Sequence, residues 1–65
     1  MQLSITERKE KILQMLMDDN SVSVNNISEK LGVTVVTARS DLATLESEGF
    51  LVRTHGGAVP LVIQN

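Results

Sequence analysis

The sequence predicts a mainly α-helical domain with a small β-sheet, a winged helix-turn-helix of three helices plus a two- to three-stranded antiparallel wing. Three observations lead there. Two helical periodicities meet at Gly32, with Ile27 and Leu31 four apart before it and Ala38, Leu42 and Leu45 at i, i+4, i+7 after it. The short stretches Ser21–Val24 and Phe50–His55 alternate polar and apolar residues, the period of strands. Gly56-Gly57 then allows a tight turn, after which Ala58-Val59 can return antiparallel.

Residues 4–18 read as the first helix. Ser4 followed by Glu7 fits a capping box, with Thr6 as a rival N-cap. Ile5, Ile12, Leu16 and either Leu13 or Met15 form its buried side, while Arg8, Lys9, Glu10 and Lys11 face water. Arg8 to Lys11 is the densest basic patch, diluted by Glu7 and Glu10. A solvated face is its ordinary reading and a phosphate contact the alternative.

Asp18-Asp19-Asn20 ends that helix, and Ser21–Val24 forms a short strand. Asn25 is the expected N-cap of the second helix, and Gly32 closes it in a left-handed conformation. Thr34 offers a hydroxyl to the free N–H groups of a third helix over residues 34–48, with Gly49 as its C-cap. Opposite the apolar stripe of this helix lie Val36, Ser40, Ala43 and Ser47, with Thr37 and Arg39 on the shoulders. A solvated helix would ordinarily show Glu and Lys there. Two helices around a tight turn, the second with a face of small, hydroxyl and guanidinium groups, suit entry into the DNA major groove. An αα-hairpin inside any small bundle is the plainer alternative. Pro60 is expected to interrupt the ladder, and residues 61–65 have no clear period.

The chain of 65 residues is expected to form one domain over residues 1–65, with the helix-turn-helix at about 25–48 and the wing at about 50–59. A domain this small buries only about 60% of its unfolded surface, which leaves little room for an active-site cleft with its own walls. It has no Cys and one His, so neither a thiolate zinc site nor a Ser-His relay can be assembled. No paired carboxylates, nucleophile–base pair or phosphate loop supports an enzyme. No apolar run approaches the ~20 residues that span a membrane, and the lack of Cys allows a reducing cytoplasmic setting. The net charge of −2 is unusual for a nucleic-acid-binding domain, so any such reading depends on where the charges sit. The single aromatic, Phe50, weighs against base stacking on single strands.

From Arg8 to Val59 the chain resembles the N-terminal DNA-binding domain of the DeoR family of bacterial transcriptional regulators. The residues that carry the resemblance are Arg8 and Ile12-Leu13-x-x-Leu16, then Val22-x-Val24, then Leu31-Gly32-Val33. More specific still are Thr37-x-Arg39-x-Asp41-Leu42-x-x-Leu45 and Gly49-x-Leu51-x-Arg53-x-His55-Gly56-Gly57-Ala58. The chain departs from the usual family pattern Thr-Ile/Val-Arg-Arg-Asp-Leu at Ala38 and Ser40, and has Ser28 where the family prefers Ala. These changes bear on affinity and operator choice rather than on fold. The resemblance implies sequence-specific binding to a double-stranded DNA operator, commonly in repression of sugar or nucleoside catabolism. It also implies a larger C-terminal domain that senses a sugar phosphate and supports homo-oligomerisation, so the chain is read as a fragment with no cofactor of its own.

The expected DNA contacts are Thr34, Val35, Val36, Thr37, Arg39 and Ser40 on the third helix, and Arg53, His55 and Gly56 on the wing. Arg39 can fork onto guanine O6 and N7 or onto a phosphate, and no acid lies three or four residues from it. Thr34 is first an N-cap whose neighbouring N–H groups suit a phosphate. Val35 and Val36 suit a thymine methyl or a half-buried position, and Thr37 and Ser40 suit bases or phosphates. Asp41, about 60° off the apolar stripe at ~100° per residue, reads as structural, pairing Arg8 or Arg53. Arg53 and His55 share one face of the wing strand, aimed at the backbone or minor groove; pairing of Arg53 with Asp41 is the competing reading. Most acids, Glu46 among them, are expected away from the face of residues 34–40. A protein–protein module is the other class of function that the acidic balance suits.

Overall fold

The computed structural model describes residues 3–61. Three helices, α1 (Ile5–Asp19), α2 (Val24–Leu31) and α3 (Val35–Ser47), are joined to three strands, β1 (Val22–Ser23), β2 (Leu51–Thr54) and β3 (Gly57–Pro60). The strands form one antiparallel sheet in the order β1-β3-β2. This is a winged helix-turn-helix. The sequence expectation for residues 62–65 lies outside the described residues.

Helix α1 starts where the capping box puts it. The Ser4 hydroxyl accepts from the Glu7 N–H at 3.2 Å, and the Glu7 carboxylate accepts from the Ser4 N–H at 3.4 Å, so Thr6 plays no capping part. Asn20 closes the helix at φ 62°, a conformation Asn tolerates better than most residues. Ile12 and Leu16 are buried, and Leu13 and Met15 both pack partly against them. Ile5, expected inside, is 49% exposed. The first turn is held by polar contacts instead, with the capping box joined by a bond from Arg8 Nη1 to the Leu3 carbonyl.

Strand β1 is shorter than its alternation suggests, because Val24 already begins α2. Ser23 therefore replaces Asn25 as N-cap, its hydroxyl accepting from the Asn26 N–H at 3.0 Å. With the cap two residues earlier, Val22 and Val24 are both buried in the core. Gly32 closes α2 at φ 67°, and the N–H groups of Gly32 and Val33 both donate to the Ser28 carbonyl. The Ser28 hydroxyl donates to the Val33 carbonyl across the same turn. Ser28 thus satisfies a polar group of the turn itself.

Helix α3 is capped by Thr34, whose hydroxyl accepts from the Thr37 N–H at 3.1 Å. At its other end Glu48, and not the expected Gly49, is the C-cap after the last helical residue Ser47, and Gly49 follows at φ 86°. Gly49 and Phe50 donate to the carbonyls of Glu46 and Leu45, a Schellman closure that turns the chain into β2. Ala38, Leu42 and Leu45 are buried, joined in the core by Ile12, Leu16, Val22, Val24, Ile27, Leu51 and Ala58.

The wing differs from its expected outline in two ways. Thr54 pairs with Gly57, so the turn is His55-Gly56 and Gly57 belongs to β3. The two glycines have separate tasks. Gly56 takes φ 83° at the turn, whereas a Cβ on Gly57 would overlap the Val22 carbonyl oxygen on β1. Pro60 does not interrupt the ladder but fills its last rung opposite Leu51. It is tolerated in the central strand because β1 pairs only as far as Ala58, leaving that side of Pro60 without a partner strand.

Candidate nucleic-acid interface

The outward face of α3 is open along its first two turns. Thr34, Arg39 and Ser40 are exposed and Val36 is 76% exposed. Val35, by contrast, packs against the core, and Thr37 and Ala43 are half-buried. Thr34 and Thr37 also join their hydroxyls at 3.1 Å, so one polar pair marks the helix start. Of the six expected α3 contacts, four are thus fully presented and two sit at the edge.

Beside this face the wing root forms a cleft, lined among others by Arg39, Glu46, Arg53, His55 and Gly56. Arg53 and His55 both line this cleft, but Thr54 between them lines it too and His55 lies in the turn, so strand alternation alone does not account for their placement. Arg53 does not pair with Asp41. Its Nε donates to Glu46 Oε1 at 2.9 Å, and its backbone N–H donates to Glu46 Oε2 at 2.8 Å. Glu46 is therefore part of the cleft, a correction to its expected place away from the face. These bonds, the backbone one first, hold the Glu46 carboxyl below the usual carboxylate range. No local periodicity links residues 46 and 53, because the Schellman turn between them sets the approach.

Asp41 is paired with Arg8 across the helices. Arg8 Nε reaches Asp41 Oδ2 at 2.7 Å and Nη2 reaches Oδ1 at 3.2 Å. Asp41 is only 1% exposed, deeper than the core edge where its position on the helical wheel puts it. Arg8, expected to face water, is drawn inward by the same two-bond fork, whose hydrogen bond raises its pKa further. Lys9 likewise pairs with Glu48 at 2.8 Å. Arg8, Lys9 and Arg53 are thus engaged, whereas Lys11, Lys30 and Arg39 form no ion pair among the described residues. On the open face of α3 that leaves one guanidinium, Arg39, without a carboxylate.

Neither a metal-binding cluster of His, Cys, Asp and Glu nor a helix long and apolar enough to cross a membrane occurs among the described residues. Residues 8–63 match the model of the DeoR-like helix-turn-helix domain. The chain belongs to the DeoR-like helix-turn-helix family. Its relatives include the lactose phosphotransferase system repressor of Lactococcus lactis subsp. lactis, 49% identical over 51 residues that make up 78% of this chain and 20% of the relative. The HTH-type transcriptional regulator GlpR of Haloferax volcanii is 44% identical over 55 residues, 85% of this chain and 22% of GlpR. The transcriptional repressor AccR of Agrobacterium fabrum is 41% identical over 56 residues, 86% of this chain and 22% of AccR. The DeoR-like domain thus spans about a fifth of the length of these relatives. No solved structure matches it.

Proposed function

We propose that this chain is the sequence-specific, double-stranded-DNA-binding domain of a DeoR-type transcriptional repressor. The observation that carries this reading is the open face of α3 with its unpaired Arg39. In the major groove, Arg39 forks onto guanine or a phosphate and Val36 meets a thymine methyl. Thr34, Thr37 and Ser40 supply hydroxyls to bases or phosphates, with Val35 supporting them from the core side. The wing, through Arg53, His55 and Gly56, follows the adjacent backbone or minor groove. A sugar catabolic operon is the proposed target, in keeping with the lactose phosphotransferase repressor among the relatives. A sugar-phosphate effector and homo-oligomerisation belong, on this proposal, to the remainder of a longer cytoplasmic regulator.

The net charge of −2 favours one other reading, a winged helix that docks a protein. Selection of duplexes from a random-sequence pool at low salt, then titration across a salt series, separates the two. Enrichment of a common sequence element with affinity that falls steeply with salt supports the DNA reading. Failure to retain any duplex at low salt overturns it.

A further inference from the structure

The function proposed for α3 and the wing leaves Glu46 unexplained, since a carboxylate beside a DNA backbone repels it. Its contacts are unusual for an exposed acid. One oxygen takes the Nε of Arg53 and the other takes the backbone N–H of the same residue. That N–H lies on β2, an edge strand of the sheet, where it would otherwise face solvent unpaired. The carboxylate thus grips one residue of the wing at two points, from a helix that is itself anchored by Leu42 and Leu45 in the core. The two terminal guanidinium nitrogens of Arg53 form no hydrogen bond among the described residues, and its side chain remains 50% exposed.

We propose that Glu46 is a positioning residue for DNA binding, holding the Nε edge of Arg53 so that its two terminal nitrogens are presented to a DNA phosphate. This inference rests on the DNA-binding reading of the interface. An exposed arginine has many rotamers, and fixing it before contact lowers the entropy lost on binding. A guanidinium can serve both partners because its donors form a planar fork with separate edges. The cost is a nearby negative charge, but one paired with the cation it holds. Orientation therefore outweighs repulsion, and the loss of Glu46 weakens DNA binding although it makes the domain less acidic.

The test is a double-mutant cycle of the parent chain, Glu46→Ala, Arg53→Ala and the double variant on one mixed-sequence duplex across a salt series. Glu46→Ala is expected to weaken binding about fivefold, part of the worth of a charge-assisted hydrogen bond, and to change nothing further once Arg53 is absent. The Arg53 Nε–H resonance, slowed in exchange by its bond to Glu46, is expected to broaden or vanish in Glu46→Ala. Glu46→Gln, which keeps its size and one acceptor oxygen, is expected to fall between parent and alanine and guards against a variant that fails to fold. Equal tightening by Glu46→Ala with and without Arg53 would mean that Glu46 acts only as a repelling charge, and the proposal fails. A parent chain that binds no duplex would overturn the DNA reading itself, a result distinct from a parent that binds and variants that show no coupling.

Discussion

Arg39 and Asp41 sit two residues apart on α3 and have opposite fates. Arg39 is exposed and forms no ion pair among the described residues, so Arg39→Ala is expected to weaken binding to a selected duplex by about 1–3 kcal/mol, the worth of one good bidentate base contact. Competition between selected and random duplexes measures it, and equal affinities for parent and variant on both would remove Arg39 as a reader. Asp41 is inside, where its charge is tolerable only beside Arg8. Arg8→Met alone is therefore expected to lower the urea midpoint more than Arg8→Met combined with Asp41→Leu. The single change strands a buried carboxylate, whereas the double change leaves only apolar groups. The outward placement of Arg39 was legible because a helical wheel needs only 3.6-residue periodicity. Arg8 was one of the two partners the sequence offered Asp41, but how deeply Asp41 is buried was not legible, since the packing of α1 on α3 sets it.

At the scale of elements, the hairpin and helix ends separate local from long-range causes. The capping box at Ser4, the glycine closure at Gly32 and the Thr34 cap follow from neighbouring residues alone, and the sequence places all three. The start of α2 and the turn of the wing were misplaced by one or two residues because β1, β3 and the core decide them jointly. Gly57→Ala tests that joint control. Its new Cβ meets backbone of β1, which cannot rotate away, so a loss of about 1–3 kcal/mol is expected by analogy with overpacking. Gly56→Ala meets nothing within 4 Å and only strains a positive φ, so thermal melts should rank it as the milder change. The α3–β2 junction adds a pH signature. Because its bonds to Arg53 lower the Glu46 pKa from the ordinary 4.5, the Glu46 contribution is complete above that value and fades as pH falls through the lower folded-state pKa. The melting-temperature difference between parent and Glu46→Gln should accordingly be constant near neutrality and shrink as pH falls below the ordinary 4.5.

For the molecule as a whole, the question is how a domain of net charge −2 approaches a polyanion. Three of its cations are held by carboxylates, which leaves little positive charge to drive non-specific association. Ser40 is exposed on the open face. Ser40→Arg is expected to tighten binding to a random duplex and steepen the dependence of log K on log salt by about 0.9. Folding stability should change by less than about 0.5 kcal/mol, as at most exposed sites. An unchanged slope together with a lower melting temperature would show that residue 40 is not free to reach DNA. The acidic balance was plain in the composition, but its distribution into ion pairs was not, because Lys9–Glu48 and Arg53–Glu46 form only once α1 and β2 lie against α3.

The carbonyl of Gly56, at the tip of the wing turn, accepts the N–H of Val24, the first residue of α2, at 2.9 Å. That bond ties the hairpin tip to the opening of the helix pair, so the two are expected to move as one body. On the proposed DNA-binding reading, a duplex would meet such a body as a fixed caliper, with one jaw seated in a groove and the other striking the backbone at a set offset. The Val24 amide then serves as a gauge of the jaws. Its exchange with deuterated solvent should be as slow as that of the core amides of α3 if they are locked. Fast exchange at Val24 beside a protected α3 would show a wing that swings free.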